Sequence, residues 1–220
     1  MNFEIKKINL EKINKILNEI ARYKSIYPFL PLSIAKNGLI LDELHDRDTL
    51  RKTFEILNSS VHLNSLTNFD LGIDFKKEMM IWTYPQIRID CSANRKFRAP
   101  YHKDKFILGN KHTGKILWIP LSKNGGSLNI VNKFSEYKVS KNDYWGVECL
   151  LNGVEEDLII IDYGQALIFD EELIHSSSPL KEGQLTIQLR YYEANENFVE
   201  KMITQKSPSF IKDYQNKITE

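Results

Sequence analysis

Residues 186–192, TIQLRYY, and residues 86–90, QIRID, decide the fold. In the first, Thr186, Gln188 and Arg190 alternate with Ile187 and Leu189; in the second, Gln86, Arg88 and Asp90 alternate with Ile87 and Ile89. Strand side chains point to opposite faces with a period of two, so each stretch is a strand with one polar and one apolar row. Two arrangements satisfy that pattern. The polar row can face solvent above an apolar core, or it can line a polar interior while the apolar row packs under helices. Periodicity alone leaves both open.

Similar runs surround these two from about residue 78 onward: KILWIPLS, SLNIVNKF, DLIIIDY and QALIFDEELIH, rich in β-branched and aromatic residues and separated by Gly, Asn, Asp and Lys. Several strands at close spacing without long intervening helices predict an antiparallel sandwich or barrel. Upstream the period changes. Residues 9–22 place Leu10, Ile13, Ile16, Leu17 and Ile20 at helical spacing, and residues 46–58 read as a second helix with acidic residues near its start. The stretch between them, YPFLPLSIAKNG, carries two prolines and a glycine and reads as a loop. The expected organisation is a single domain, with a mainly helical region at 1–77, a β core at 78–195, and a helix or tail at 196–220.

Composition narrows the partners. An apolar fraction of 42% supports a real core, and 30 basic against 29 acidic residues give a net charge of +1. That balance gives no support for a nucleic-acid partner. No stretch approaches the ~20 apolar residues of a membrane span, and the first residues lack the apolar run and cleavage site of a signal peptide. Cys91 and Cys149 are far apart and form no CxxC pair, so neither a disulfide framework nor a structural zinc site is expected. A soluble, cytoplasmic protein is the expectation.

Chemistry enters at residues 99–110, APYHKDKFILGN. His102 and Asp104 form a His-x-Asp pair, which by itself arises readily by chance. Two imidazoles and one carboxylate on one face of a metal are the ligand set of ferrous enzymes that activate dioxygen, since three positions stay exchangeable. A third ligand would have to come from a strand folded back beside the pair. His175, in YGQALIFDEELIHSSSP, follows a glycine-led apolar strand and is the candidate. His45 and His62 compete poorly, and His112, in NKHTGK, resembles a loop residue close enough to act behind the ligands or on a substrate.

The ordered set QIRID, YHKD, LWIPLS, GSLNIV, GQALIFDEELIHSSSP and TIQLRYY resembles the phytanoyl-CoA hydroxylase-like branch of the iron(II)/2-oxoglutarate oxygenases, especially members from bacterial carbohydrate and aminoglycoside biosynthesis clusters. The resemblance covers roughly residues 80–193. It implies a double-stranded β-helix, a jelly-roll or cupin-like antiparallel barrel with the N-terminal helices packed on one sheet, and it turns the polar rows inward. His102, Asp104 and His175 would bind Fe(II). Arg190, 190 − 175 = 15 positions beyond the distal histidine, would grip the far carboxylate of 2-oxoglutarate, a bidentate task suited to a guanidinium. Many relatives place that arginine about eleven positions on, where this chain has Thr186, so Arg88 is the alternative anchor, with Arg190 on the substrate. Ser177 and Trp118 match positions that line the cosubstrate pocket; Gln86 and Arg88 face the same interior; Lys103 and Lys105 flank the metal pair and could meet an anionic substrate.

The resemblance further implies consumption of O2 and 2-oxoglutarate with oxidation of a substrate C–H bond. Related halogenating enzymes replace the carboxylate ligand with a small residue, so Asp104 argues for hydroxylation. The implied substrate is a small molecule, a sugar, nucleotide sugar or surface-polysaccharide intermediate. Two other classes fit the residues less closely: a metal-binding cupin that is not an oxygenase, such as a sugar epimerase, and an inactive barrel serving as a scaffold.

Overall fold

A computed structural model of the chain describes residues 3–35, 38–41, 47–61, 66, 70–75, 79–81, 85–90, 98–105, 114–142, 146–178 and 183–193. Both helices form where the apolar spacing places them. Helix α1 (Leu10–Ile26) begins at Asn9, whose side chain accepts a hydrogen bond from the Glu11 N–H at 2.9 Å, and it carries Lys24 in its last turn. Those features satisfy an otherwise orphaned amide and complement the helix dipole. Its apolar stripe buries Ile13, Ile16, Leu17 and Ile20. Helix α2 (Arg47–Ser60) follows.

The strands, in chain order, are β1 (Phe3–Lys7), β2 (Leu32–Ala35), β3 (Gly38–Leu41), β4 (Met79–Ile81), β5 (Gln86–Asp90), β6 (Gly114–Pro120), β7 (Gly126–Lys133), β8 (Glu136–Asn142), β9 (Gly146–Asn152), β10 (Glu155–Ile161), β11 (Gln165–Asp170), β12 (His175–Ser177) and β13 (Gln184–Glu193). Among the described residues, β1, β11, β6 and β13 lie side by side, with β4 and β5 both paired to β13, in a six-stranded sheet; β10, β7 and β12 form a second sheet. The chain is thus mainly β, with two sheets stacked face to face. The two layers share a core of Ile116, Trp118, Leu128, Ile130, Ile161, Leu167 and Phe169.

The alternation in QIRID and TIQLRYY resolves to the second arrangement. Ile87, Ile89, Ile187 and Leu189 join Leu117, Ile119, Ala166 and Ile168 on the face covered by α1 and α2, in one cluster with Ile13, Ile16, Leu17 and Ile20. Asn58 of α2 fastens this layer at the strand edge: its Nδ2 donates to the Ile87 carbonyl at 2.9 Å and its Oδ1 accepts from the Ile87 N–H at 2.8 Å. The polar row of β13 is nevertheless buried: Thr186, Gln188 and Arg190 are all 7% exposed or less. It faces the gap between the sheets. Cross-strand register sets Arg88 beside Thr186, Gln86 beside Gln188, and Gln188 beside Trp118.

Three elements depart from the sequence expectation. The 27–38 stretch is not all loop, because Leu32–Ala35 and Gly38–Leu41 pair as a hairpin, and Leu39 bonds the chain just beyond β6 (Leu39 N to Leu121 O, 2.8 Å). Gly38 holds φ of 108°, a conformation that strongly favours glycine. The N-terminal residues add β1 to the main sheet beside β11, and residues 136–152 form the β8–β9 hairpin. The expected helix or tail at 196–220, and His45, His62, His112 and Cys91, lie outside the described residues. No helix among the described residues is long and apolar enough to cross a membrane.

Candidate metal centre

His102 and His175 are joined through their backbones. The His102 N–H donates to the His175 carbonyl at 2.9 Å, and the His175 N–H donates to the His102 carbonyl at 3.1 Å. Directly paired residues on antiparallel chains present their side chains on one face, and the two imidazole centroids are 4.3 Å apart. Register with β7 holds the second histidine from the other side, His175 lying opposite Ile130. Asp104 is not carried by a strand. His102 makes only a single bridge, and the chain is already helical at Asp104 and Lys105. The turn is secured where the Lys105 N–H donates to the Glu171 carbonyl at 3.2 Å.

Ligand atoms of His102, Asp104 and His175 all lie within 4.8 Å of one another, and all three residues are buried. Asp104 Oδ2 is 3.6 Å from His175 Nε2, close to the ~3 Å expected between neighbouring donors of a metal bound at ~2.1 Å. Each imidazole is oriented from behind. His102 Nδ1 lies 2.7 Å from the Pro100 carbonyl, and His175 Nδ1 lies 3.0 Å from the Leu173 carbonyl. A carbonyl only accepts, so each Nδ1 carries the proton and each Nε2 keeps its lone pair; second-shell bonds of this kind fix the tautomer of metal-binding histidines. Phe169 packs edge-on against the His175 ring, 4.8 Å between centroids.

Electrostatics keep these groups in ligand form. Burial, together with the adjacent His175, pushes the His102 pKa down to about 3 despite the nearby Asp104 carboxylate. Burial also lowers that of His175. For Asp104, burial acts to raise the pKa, but Arg190 and the two histidines outweigh it and hold the carboxyl well below its usual range. Two neutral imidazoles and one carboxylate are a donor set that can hold a divalent metal.

Arg190 is engaged with one donor of this set. Its Nε and Nη2 donate to Asp104 Oδ1 at 3.1 and 2.7 Å, and Nη2 also reaches Gln188 Oε1 at 3.4 Å. Arg88 stands further along the interior face, opposite Thr186, where burial lowers its pKa against the pull of Asp90. Beside it the Thr186 hydroxyl and the Trp118 indole Nε1 are buried without a hydrogen-bond partner. Gly126 lets the Trp118 ring approach, since an added Cβ would come within 2.5 Å of it. Ser177 lies two residues beyond His175, opposite Leu128, and Gln86 lies opposite Gln188. Lys103 and Lys105 both pair with Glu172 at a partly exposed position.

Some participants lie outside the residues singled out from sequence. Gln184 extends the polar row of β13 by one more step. Its Oε1 accepts from the Ser127 N–H at 2.8 Å and its Nε2 donates to Asp90 Oδ2 at 3.2 Å, tying β5, β7 and β13 together. Continuing the alternation two residues upstream would have found it. Phe169 and the carbonyls of Pro100 and Leu173 leave no local signal.

No family model matches the chain, and no curated protein matches it. Similar solved structures include EvdO2 from Micromonospora carbonacea var. aurantiaca complexed with 2-oxoglutarate, 15% identical over 88% of this chain and 86% of that one, TM-score 0.45. AviO1 from Streptomyces viridochromogenes Tue57 is 12% identical over 87% and 90%, TM-score 0.45. The non-heme alpha ketoglutarate dependent epimerase SnoN from nogalamycin biosynthesis is 13% identical over 88% and 78%, TM-score 0.44.

Proposed function

We propose that the chain is an Fe(II)- and 2-oxoglutarate-dependent oxygenase with a double-stranded β-helix core, and that it hydroxylates a small molecule. The carrying observation is the convergence of two Nε2 lone pairs and one carboxylate oxygen, each imidazole pinned through Nδ1, in a buried space between two sheets. His102, Asp104 and His175 would hold the iron. The buried Thr186 hydroxyl and Trp118 indole, both lacking a partner, lie in the layer with Arg88, so the residues present suit an anionic, hydrogen-bonding guest. When bound, iron with 2-oxoglutarate and O2 supplies an oxidant able to cleave a C–H bond while the oxo acid becomes succinate and CO2.

The chain's own residues do the positioning. Arg190 meets the ligand set itself, whereas Thr186 is four residues away along β13, about 14 Å at ~3.4 Å per residue. A five-carbon diacid held at the metal extends roughly 5 Å beyond its chelating end. Arg88, reaching back from beside Thr186, therefore receives the far carboxylate, with Thr186 Oγ1 and Trp118 Nε1 as further donors and Ser177 and Gln86 on the flanks. Ile116, Leu128, Ile130 and Leu167 wall the space with apolar surface that keeps water out. The carboxylate at position 104 favours hydroxylation over halogenation. The resemblance of the motif set directs the search for substrate to sugars, nucleotide sugars and polysaccharide intermediates.

Anaerobic addition of Fe(II) and 2-oxoglutarate should produce the weak visible charge-transfer band of the chelate. Metal-loaded protein that shows no band would sink the assignment.

A further inference from the structure

The two oxygens of Asp104 have different surroundings. Oδ1 accepts both contacts from Arg190, through Nε at 3.1 Å and Nη2 at 2.7 Å, while Oδ2 faces His175 Nε2 at 3.6 Å. The guanidinium is itself held, since Nη2 also lies 3.4 Å from Gln188 Oε1, and both Arg190 and Asp104 are buried. A carboxylate left to itself can ligate a metal through one oxygen or through both. Three protein donors leave three positions on an octahedral metal; a chelating 2-oxo acid uses two, and dioxygen needs the third. A carboxylate bound through both oxygens would close that position.

Resting on the metal-centre reading above, we propose that Arg190 is a positioning residue: by occupying Oδ1 it restricts Asp104 to one-oxygen ligation and keeps the dioxygen position open. The planar fork matters. Nε and Nη2 approach the same oxygen from a fixed angle, which a lysine ammonium on a flexible stem does not reproduce. Gln188, two residues back on the same face of β13, holds the fork in place. This role also explains why the chain needs a second arginine on the interior face. Arg190 is committed beside the metal ligand, so the far carboxylate of the cosubstrate falls to Arg88, the cross-strand neighbour of Thr186.

The test separates the two arginines by what each variant loses. Co(II) affinity of the metal-free protein, and 2-oxoglutarate affinity of the Co(II)-saturated protein, are measured by calorimetry for wild type, Arg190→Gln, Arg190→Lys, Gln188→Leu and Arg88→Ala, with the Co(II) visible spectrum recorded for each. Changing a group that orients a ligand typically alters metal affinity 10–100-fold. Arg190→Gln, which frees the second oxygen of Asp104, should change its Co(II) spectrum and shift its Co(II) affinity by about tenfold or more, with 2-oxoglutarate affinity altered less than about threefold. Arg190→Lys and Gln188→Leu, which disturb the pair less, should show the same pattern at about 3- to 10-fold, and they carry the test if Arg190→Gln does not fold. Arg88→Ala should do the reverse, keeping Co(II) and losing 2-oxoglutarate. Unchanged Co(II) affinity and spectrum in the Arg190 variants overturns the positioning role, and a selective loss of 2-oxoglutarate there makes Arg190 the anchor. Failure of wild type to bind Co(II) overturns the metal centre itself.

Discussion

The six-stranded sheet has two faces built from alternate residues of the same strands, and they are put to opposite uses. On one, Ile87, Ile89, Leu117, Ile187 and Leu189 pack beneath α1 and α2 with no polar partner to satisfy. On the other, Arg88, Thr186, Gln188 and Arg190 are turned inward toward a second sheet that carries His175. The ten-residue strand β13 thus faces the helix-covered core on one side and the space between the sheets on the other. The helices are what permit this. By covering the outer face they add a second apolar core to the smaller one between the sheets, which leaves room for buried polar side chains on the inner face.

Substitutions of the donors that the polar face turns toward should remove function outright. His102→Ala or Asp104→Ala is expected to abolish succinate formation and Co(II) binding; full retention in both variants would exclude them as ligands. Asp104→Ala should also lower stability more than His102→Ala, because it leaves the Arg190 guanidinium buried without its carboxylate.

Substitutions one residue away should do the converse. Ile187→Ala or Leu189→Ala empties a fully buried site and is expected to cost about 2–5 kcal/mol of unfolding free energy, read from urea denaturation. The folded fraction should keep its Co(II) affinity. A large loss of metal affinity without loss of stability would mean that the two faces are not separate.

Acid should affect the donor cluster gradually. His102 takes up its proton near pH 3 when folded but near pH ~6.5 when unfolded. Between those values the unfolded chain binds more protons, so stability rises with pH across the window and is lost on acidification. Each pH unit below ~6.5 should cost the metal-free protein up to about 1.4 kcal/mol from this residue. Urea midpoints measured from pH 7 to 4.5 should fall accordingly, and His102→Gln should flatten the slope. A profile that is flat in wild type would contradict the buried, neutral imidazole.

How much was legible in sequence follows the same division. Period-two alternation and helical spacing are local properties, so QIRID, TIQLRYY and the stripe of α1 could be read directly. Which side of the alternation faces inward could not, because that depends on where the helices dock. The β2–β3 hairpin was hidden by Pro28, Pro31 and Gly38, whose turn signals outweighed four-residue strands that pair with each other and meet the chain beyond β6. β1 pairs with β11 across most of the chain length, which no local pattern encodes. The three clustered donors were all named from their motifs. The contact between Arg190 and Asp104 was not, since the pair is 86 residues apart and a strand arginine gives no sign of which acidic group it will meet.

The reciprocal backbone pair between His102 and His175 has a kinetic consequence. It closes a loop of 175 − 102 = 73 residues, and such long-range contacts carry a closure entropy that must be met before they yield any stabilisation. Pairing among the strands β6 to β11 that lie between them shortens the effective loop, so the joining of the two histidines is tied to formation of the sheets rather than to any local element.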